Sequence, residues 1–411
     1  MAKINPADAE AQEYLALQRR TAPACRAADL ILITVLSVMI AVMGIAIFIL
    51  PPSSFSEDEN RSLTTFPAFS WSALASGEWT ADVTSFYSDQ FPVRRMMVQL
   101  KAVCELAQLK GQNNGVILGS GGTLIKRLEY NDTSITERNL AAVDDLRAAL
   151  AGDGIPVELA VAPRAIDVLC DELPALYGAD RSDAIWEAIV AHQSDAARYR
   201  DRLRELSVAG EYVWYRTDHH WTTDGAYAAY VELGRQLGYT PYPASDFQRV
   251  VVSTEFYGTT YSSSGMYFVE PDTMCFYRYA GDEGYVVENM LTGSRLDGFY
   301  DTSYLDSKDK YSAFIGGNNA HVRVFRADGD DADKPTLVLV KDSYAHSLVP
   351  FLARHYRLEI IDLRSYTGSV AKLAREKGAC GVLVLTGVDN LATSDSLTLL
   401  RYGLTSAPAN N

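Results

Sequence analysis

Positive charge, paired cysteines and glycine-rich phosphate loops are what this chain lacks. Lysine and arginine number 37 against 52 aspartates and glutamates, a formal net charge of −15. Phosphate backbones are held by basic faces, so no nucleic-acid partner is expected. The five cysteines (Cys25, Cys104, Cys170, Cys275 and Cys380) are scattered, odd in number and include no CxxC pair. That pattern fits neither a disulfide framework nor a structural zinc site. Cys170 and Cys380 lie in apolar runs and read as buried thiols behaving as small hydrophobes. With no Walker loop and no GxGxxG after a strand, no nucleotide cofactor is expected, and nothing else in the sequence asks for a cofactor. Histidine is scarce as well, six in 411 residues.

What is present is an ordinary globular composition, 48% hydrophobic and 22% charged, in a chain long enough for one large core or two modest ones. One apolar run stands apart. Residues 30–50, LILITVLSVMIAVMGIAIFIL, carry no charge over 21 residues. At about 1.5 Å per residue that length crosses a hydrocarbon core of about 30 Å. Arg19, Arg20 and Arg26 precede it, and Pro51, Pro52 and Glu57-Asp58-Glu59 follow. The positive-inside rule then places residues 1–29 in the cytoplasm and the C-terminal portion outside the cell. The run is longer than the apolar core of a cleaved signal peptide, and no small-x-small cleavage site follows, which favours an uncleaved signal anchor.

Beyond it, residues 51–70 read as an extracellular tether and 71–411 as one α/β domain. Helices are expected over 74–110, around the turn Asp89-Gln90-Phe91-Pro92, and near 136–151 and 182–207. Asn113-Asn114-Gly115 and Ser120-Gly121-Gly122 bracket a hairpin. PVELAVAP (156–163) ends in proline as a buried strand does, and EYVWYRTDHHW (211–221) is rich in β-formers. Thr222 or Thr223 caps a helix running to Leu237. Residues 242–330 read as an irregular insertion covering one end of the sheet. TLVLV (336–340), LEIIDL (358–363) and GVLVLT (381–386) are continuous apolar runs separated by helical stretches, the signature of doubly covered parallel strands.

Two polar clusters fall at strand ends, where ligands of open α/β sheets collect. One is Asp218-His219-His220-Trp221; the other is Lys341-Asp342-Ser343-Tyr344, which opens a helix. Serine there is either an N-cap or a nucleophile beside helix N–H groups. Alternation along a strand puts Asp218 and His220 on one face and His219 on the other. A carboxylate beside an imidazole is the base a serine nucleophile needs. A metal held by Asp218, His220 and Asp224 is a weaker reading, lacking dense Cys/His spacing. His346, one turn after Ser343, is the competing base but has no adjacent carboxylate. His219 reads as a core or surface histidine, His355 as a residue of the same helix, and Trp221 as core or a wall of a sugar site.

The strings TDHHWTTDGAY, ENRSL, DQFP, NNGV and KDSYAHSLVPFL resemble the DHHW protein family of Gram-positive bacteria. That family is similar to the alginate O-acetyltransferase group, whose extracytoplasmic domains have an SGNH-hydrolase-like fold. The resemblance runs from about Glu59 to about Leu391. It implies an SGNH-hydrolase-like parallel sheet flanked by helices, preceded by one N-terminal transmembrane helix. Asp218 and His220 match the DxH pair and Ser343 the nucleophile, in the Asp–His–Ser chain order of the acetyltransferases. Arg164 matches the basic residue after the family's Pro-ending strand. The glycine expected before Asp-Ser is Lys341, which crowds the elbow or sets a cation beside it. Gly258 and Asn390 are candidate oxyanion groups, and Trp221, Lys341 and Tyr344 candidate substrate contacts. The implied activity is acetyl transfer to, or esterase-like removal from, a cell-envelope polysaccharide. A polytopic membrane acyltransferase is the implied acetyl donor. The alternative is a non-catalytic carbohydrate-binding or assembly protein on the same scaffold.

Overall fold

The structure, a computed structural model, describes residues 6–127, 132–177 and 184–404. The first five residues of the N-terminal tail, residues 182–183 of an expected helix and the last seven residues lie outside the described part. Two compact units divide the chain, Met1–Val98 and Gln99–Asn411.

The first unit opens with a helix from Pro6 to Ile49. Its stretch Arg26–Ile47 has a mean hydropathy of 2.9, is nowhere buried, and is long and apolar enough to cross a membrane. Two-residue strands Phe55–Ser56 and Arg61–Ser62 then pair antiparallel. Helices Trp71–Ser76 and Glu78–Asp89 follow, and Arg94–Ala107 leads the chain onward. Arg61 grips Asp89 with two bonds of 3.0 and 2.5 Å, and Glu59 pairs with both Arg61 and Arg94 at 2.7 Å.

The second unit is built on a seven-stranded sheet. Its strands in chain order are β1 (Val157–Ala162), β2 (Tyr285–Asn289), β3 (Arg295–Asp297), β4 (His321–Arg326), β5 (Thr336–Lys341), β6 (Arg357–Ile361) and β7 (Gly381–Gly387). In space the order is β3-β2-β4-β6-β5-β7-β1. The four strands β6, β5, β7 and β1 pair in parallel, as their continuous apolar runs require. The sheet as a whole is mixed, because β4, β2 and β3 extend it antiparallel. Residues 242–330 are therefore no mere cover: they supply three sheet strands and both strands of a further antiparallel pair, Gln248–Phe256 with Asp272–Arg278.

Both faces of the parallel half are buried, which is why polar alternation is missing there. Leu337, Leu339, Leu358, Ile360, Leu383 and Leu385 enter one core, and Val338, Val340, Ile361, Val382 and Val384 the other. The helix Thr223–Leu237 packs on the first face. Thr222 caps it, its Oγ1 accepting from Gly225 N–H at 3.1 Å. Gly225 has to be glycine, since a Cβ there would lie 2.1 Å from the Val213 carbonyl. The Asn114-Gly115 turn has both residues at positive φ (50° and 74°), the two-residue hairpin geometry its sequence predicts.

Two expectations change here. Residues 211–221 are not a strand: they form a loop closed by one bridge, Trp214 to Trp221. The helix after Ser343 is a 3-10 turn, Ser343–Leu348, followed by a single α-turn, Val349–Leu352. Its macrodipole is correspondingly short.

Candidate active site

The loop 215–220 is held from below by one buried carboxylate. Asp272 accepts from Arg216 N–H at 2.9 Å, from Thr217 N–H at 2.8 Å and from the Thr217 hydroxyl at 2.5 Å. Fixing those two residues aims the next three. Asp218 Oδ1 accepts from Thr259 N–H (2.8 Å) and the Thr259 hydroxyl (2.9 Å). Asp218 Oδ2 receives His220 Nδ1–H at 2.6 Å. That bond sets the imidazole tautomer, leaving Nε2 to accept the hydroxyl of Ser343, whose Oγ is 2.7 Å away. Asp218 and His220 are buried, Ser343 only partly. A carboxylate, an imidazole and a hydroxyl from segments more than 120 residues apart thus form one hydrogen-bonded line.

Ser343 owes its position to the residue before it. The Asp342 carboxylate caps Tyr344 N–H (3.0 Å) through one oxygen. Its other oxygen accepts from Gly387 N–H (2.6 Å), Asn390 Nδ2 (2.7 Å) and the Thr386 hydroxyl (3.2 Å). Asn390 is in this way committed to holding the elbow. Gly258 is likewise engaged, its N–H donating to Thr217 Oγ1 at 3.1 Å. Its contribution is size, because a Cβ there would sit 2.2 Å from Asp218 Cβ. The Ser343 N–H itself opens the 3-10 turn, where no intrahelical acceptor exists.

Trp221 is core, its Nε1 donating to the Tyr344 carbonyl and Ser347 Oγ at 3.1 Å each. The Tyr344 hydroxyl donates to the His219 carbonyl at 2.6 Å, bracing the loop from the far side. Lys341 turns away from the serine: its Nζ meets His346 Nε2 (2.8 Å) and Asp362 Oδ2 (3.1 Å) in the interior. Burial holds the Lys341 ammonium below its usual pKa, against the opposing pull of Asp362. His346 faces that lysine, so it does not compete with His220. His355 bonds the Tyr230 hydroxyl at 2.7 Å, and Arg164 pairs with Asp167 at 2.7 Å.

His219 does not sit on an opposite face, since the loop is not a strand. Its ring lies 3.8 Å from that of His220 and its Nδ1 bonds Thr259 Oγ1 at 2.5 Å. Burial alone would raise the Asp218 pKa, but His219 and His220 outweigh it and hold the carboxyl well below the usual range. Burial and the neighbouring His219 charge push His220 below the ordinary imidazole value, with Asp218 opposing. His219 goes the other way: burial disfavours its charge, but Asp218, Asp389 and Asp342 prevail and raise it. The chemistry that results is a neutral base on a serine, beside an ionised carboxylate.

A metal would find its ligand atoms here already engaged. Asp218, His219 and His220 bring atoms within 4.8 Å of one another, yet Asp218 would have to release Thr259 and His220 to bind an ion. Asp224 is elsewhere, paired with Arg249 at 3.2 Å.

Sequence reasoning missed Thr259, Asp272 and Tyr311. The Tyr311 ring is stacked on His220 with centroids 3.9 Å apart and planes 6° from parallel. Its hydroxyl approaches the Ser343 carbonyl and Ser347 Oγ at 3.3 Å. Only the YGTT string around Thr259 offered a signal. Asp272 and Tyr311 reach the site through tertiary contacts alone.

The family described as DHHW protein matches residues 115–361. Among curated proteins the chain is similar to the probable alginate O-acetylase AlgJ of Pseudomonas fluorescens, 28% identical over 205 residues, 47% of this chain and 52% of that protein. The AlgJ protein of Pseudomonas syringae pv. tomato is 30% identical over 190 residues, 43% and 48% of the two chains. The chain thus spans about half the length of the curated relatives it matches. Among solved structures, a DHHW family protein from Eubacterium siraeum superposes with a TM-score of 0.55 at 20% identity, covering 70% of this chain and 95% of that one. Bacillus cereus PatB1, solved with a sulfonyl adduct, gives 0.56 at 17% identity over 68% and 97%. These likenesses agree on the fold, which is the SGNH-hydrolase-like α/β class that the sequence resemblance implied.

Proposed function

Because the chain belongs to the DHHW protein family, we propose that it transfers acetyl groups through Ser343 on an envelope polysaccharide outside the cell. The observation that carries this reading is the unbroken line Asp218–His220–Ser343, at 2.6 and 2.7 Å. Ser343 Oγ attacks the acetyl carbonyl carbon while His220 Nε2 takes its proton. Asp218 stabilises the imidazolium so formed. The carbonyl electron pair collects on oxygen, where the Ser343 N–H is the nearest backbone donor. Collapse expels the donor's alcohol, which regains the proton from His220. A sugar hydroxyl then deprotonated by His220 attacks the acetyl-serine. The bond to Ser343 Oγ breaks, Oγ regains the proton from His220, and the sugar leaves as the acetyl ester; water in its place gives acetate. The alginate O-acetylase relatives support a polysaccharide as acceptor. A span over residues 26–47 with arginines before it supports an N-in, C-out orientation. The acetyl donor is then a membrane acyltransferase carrying acetyl groups across the bilayer.

The test is to incubate the protein with 4-nitrophenyl acetate and map adducts by peptide mass spectrometry. An acetyl group on Ser343, absent in Ser343→Ala, is the expected result. Folded protein with no adduct and no turnover leaves the non-catalytic carbohydrate-binding reading instead.

Two smaller effects follow from the surroundings of His220. A base with a lowered pKa stays neutral further into acid, so the acid limb of kcat/KM is expected below the ordinary imidazole value of about 6.5. The groups facing His220 are Asp218, His219 and Asp342 by charge, Tyr311 and Tyr344 by their rings, and His346 behind Tyr311. Removing the neighbouring positive charge with His219→Gln should move that limb to higher pH in a kcat/KM profile. The stacked Tyr311 ring favours the imidazolium and holds its plane. Tyr311→Leu is expected to lower kcat by about tenfold, with Tyr311→Phe within about twofold of the parent. Equal losses in both variants would assign the effect to the hydroxyl rather than the ring.

A further inference from the structure

The apolar span is followed by a second feature that points at lipid. Ser53, four residues past the end of the long helix at Ile49, is bonded at both main-chain groups by one side chain. Ser53 N–H donates to Gln90 Oε1 at 3.0 Å, and Gln90 Nε2 donates back to the Ser53 carbonyl at 2.8 Å. Four residues reach at most about 14 Å. The turn that follows Gln90 is therefore pinned close to where the chain leaves the span. The pin is reinforced by Gln90 Nε2 to the Thr64 carbonyl (3.2 Å) and by Asp89 to Thr64 N–H (2.9 Å).

That turn is apolar where a water-facing turn would be polar. Phe91, Val93, Met96 and Met97 are 37, 49, 56 and 37% exposed, and Phe55 beside the pin is 40% exposed. Val93 has φ of +54°, a conformation that costs a β-branched residue energy and that glycine or asparagine would adopt freely. The nearby charges cancel: the carboxylates of Asp58, Glu59 and Asp89 pair with the guanidiniums of Arg95, Arg94 and Arg61. A neutralised polar base under exposed Phe, Val and Met side chains suits the zone between headgroups and acyl chains.

We propose that the turn Phe91–Met97, with Phe55, rests in the lipid–water interface as a second membrane contact beside the span. It rests on residues 26–47 crossing the bilayer, and its occupant is the lipid surface itself rather than a protein. The contact fixes the first folded unit against the bilayer instead of leaving it on a free tether.

The test uses the full chain in phosphatidylcholine nanodiscs, with and without brominated acyl chains, which quench tryptophan on contact. Tryptophan is introduced singly as Phe91→Trp, Met96→Trp, Ile40→Trp in the span and Val208→Trp on an exposed helix of the second unit. Each is read as the difference from the parent chain. Quenching at Phe91→Trp and Met96→Trp, as at Ile40→Trp and unlike Val208→Trp, is the expected result. Quenching at Ile40→Trp alone overturns the inference while leaving the span intact. An unquenched Ile40→Trp removes the span and the inference with it.

Discussion

His220→Ala is expected to slow acetylation of Ser343 by about ten-thousand-fold, and Asp218→Asn by nearly as much, with the fold unchanged in both. The first removes the atom that takes the serine proton. The second keeps the shape of Asp218 but gives Thr259 and His220 an amide where they meet a carboxylate. An amide nitrogen facing His220 Nδ1 turns the imidazole to the tautomer with a proton on Nε2, which cannot accept from Ser343 Oγ. The two losses should not add, since both groups act through one proton transfer. Single-turnover acetylation rates, with circular dichroism to show that each variant is folded, measure this. Losses under tenfold in either variant would remove the triad reading.

Gly258→Ala is the second large effect, and its cause is distance alone. The residue has φ of −84° and ψ of −168°, which alanine adopts without strain. The obstacle is Asp218, whose Cβ, Oδ1 and Cγ would lie 2.2, 2.4 and 2.5 Å from the new methyl group. Asp218 is buried and bonded on both oxygens, so it cannot swing aside without breaking its bonds to Thr259 or His220. Overpacking of this kind costs about 1–3 kcal/mol in stability. The displaced carboxylate should also cost most of the activity, about a hundredfold or more. Thermal unfolding and the same acetylation assay read the two effects separately. A variant as active and as stable as the parent would mean the loop opens at that point.

The parallel half of the sheet was legible because burial on both faces leaves an unbroken apolar run, as in TLVLV and GVLVLT. The helix from Thr223 was legible from a threonine cap at its start. Asp218, His220 and Ser343 stood out because rare or reactive side chains cluster in two short stretches, 218–221 and 341–344. The antiparallel strands β2, β3 and β4 were hidden by shortness and by charge: RLD buries no residue and HVRVFR only Val322 and Val324. The strand expected at 211–221 failed because its β-formers pack as aromatic core around a loop. Trp214, Tyr215 and Trp221 are all buried. Lys341 looked like an active-site cation because it is one residue from Asp342. Its chain instead runs inward to Asp362, a contact that exists only once β5 and β6 lie side by side.

The order of strands across the sheet sets when the Asp218–His220–Ser343 line can assemble during synthesis. β1 is made early but has a single neighbour, β7, and β7 is the last strand to be made. A nascent chain ending before Gly381 already holds Asp218, His220 and Ser343, yet β1 and β5 still present open edges. Gly387 and Asn390, which anchor the Asp342 carboxylate, are also still to come. Chains stalled before Gly381 thus leave the Asp342 carboxylate without those partners and carry strand edges prone to pair with one another. The carboxylate that positions Ser343 gains its anchors only after Asn390 has been made.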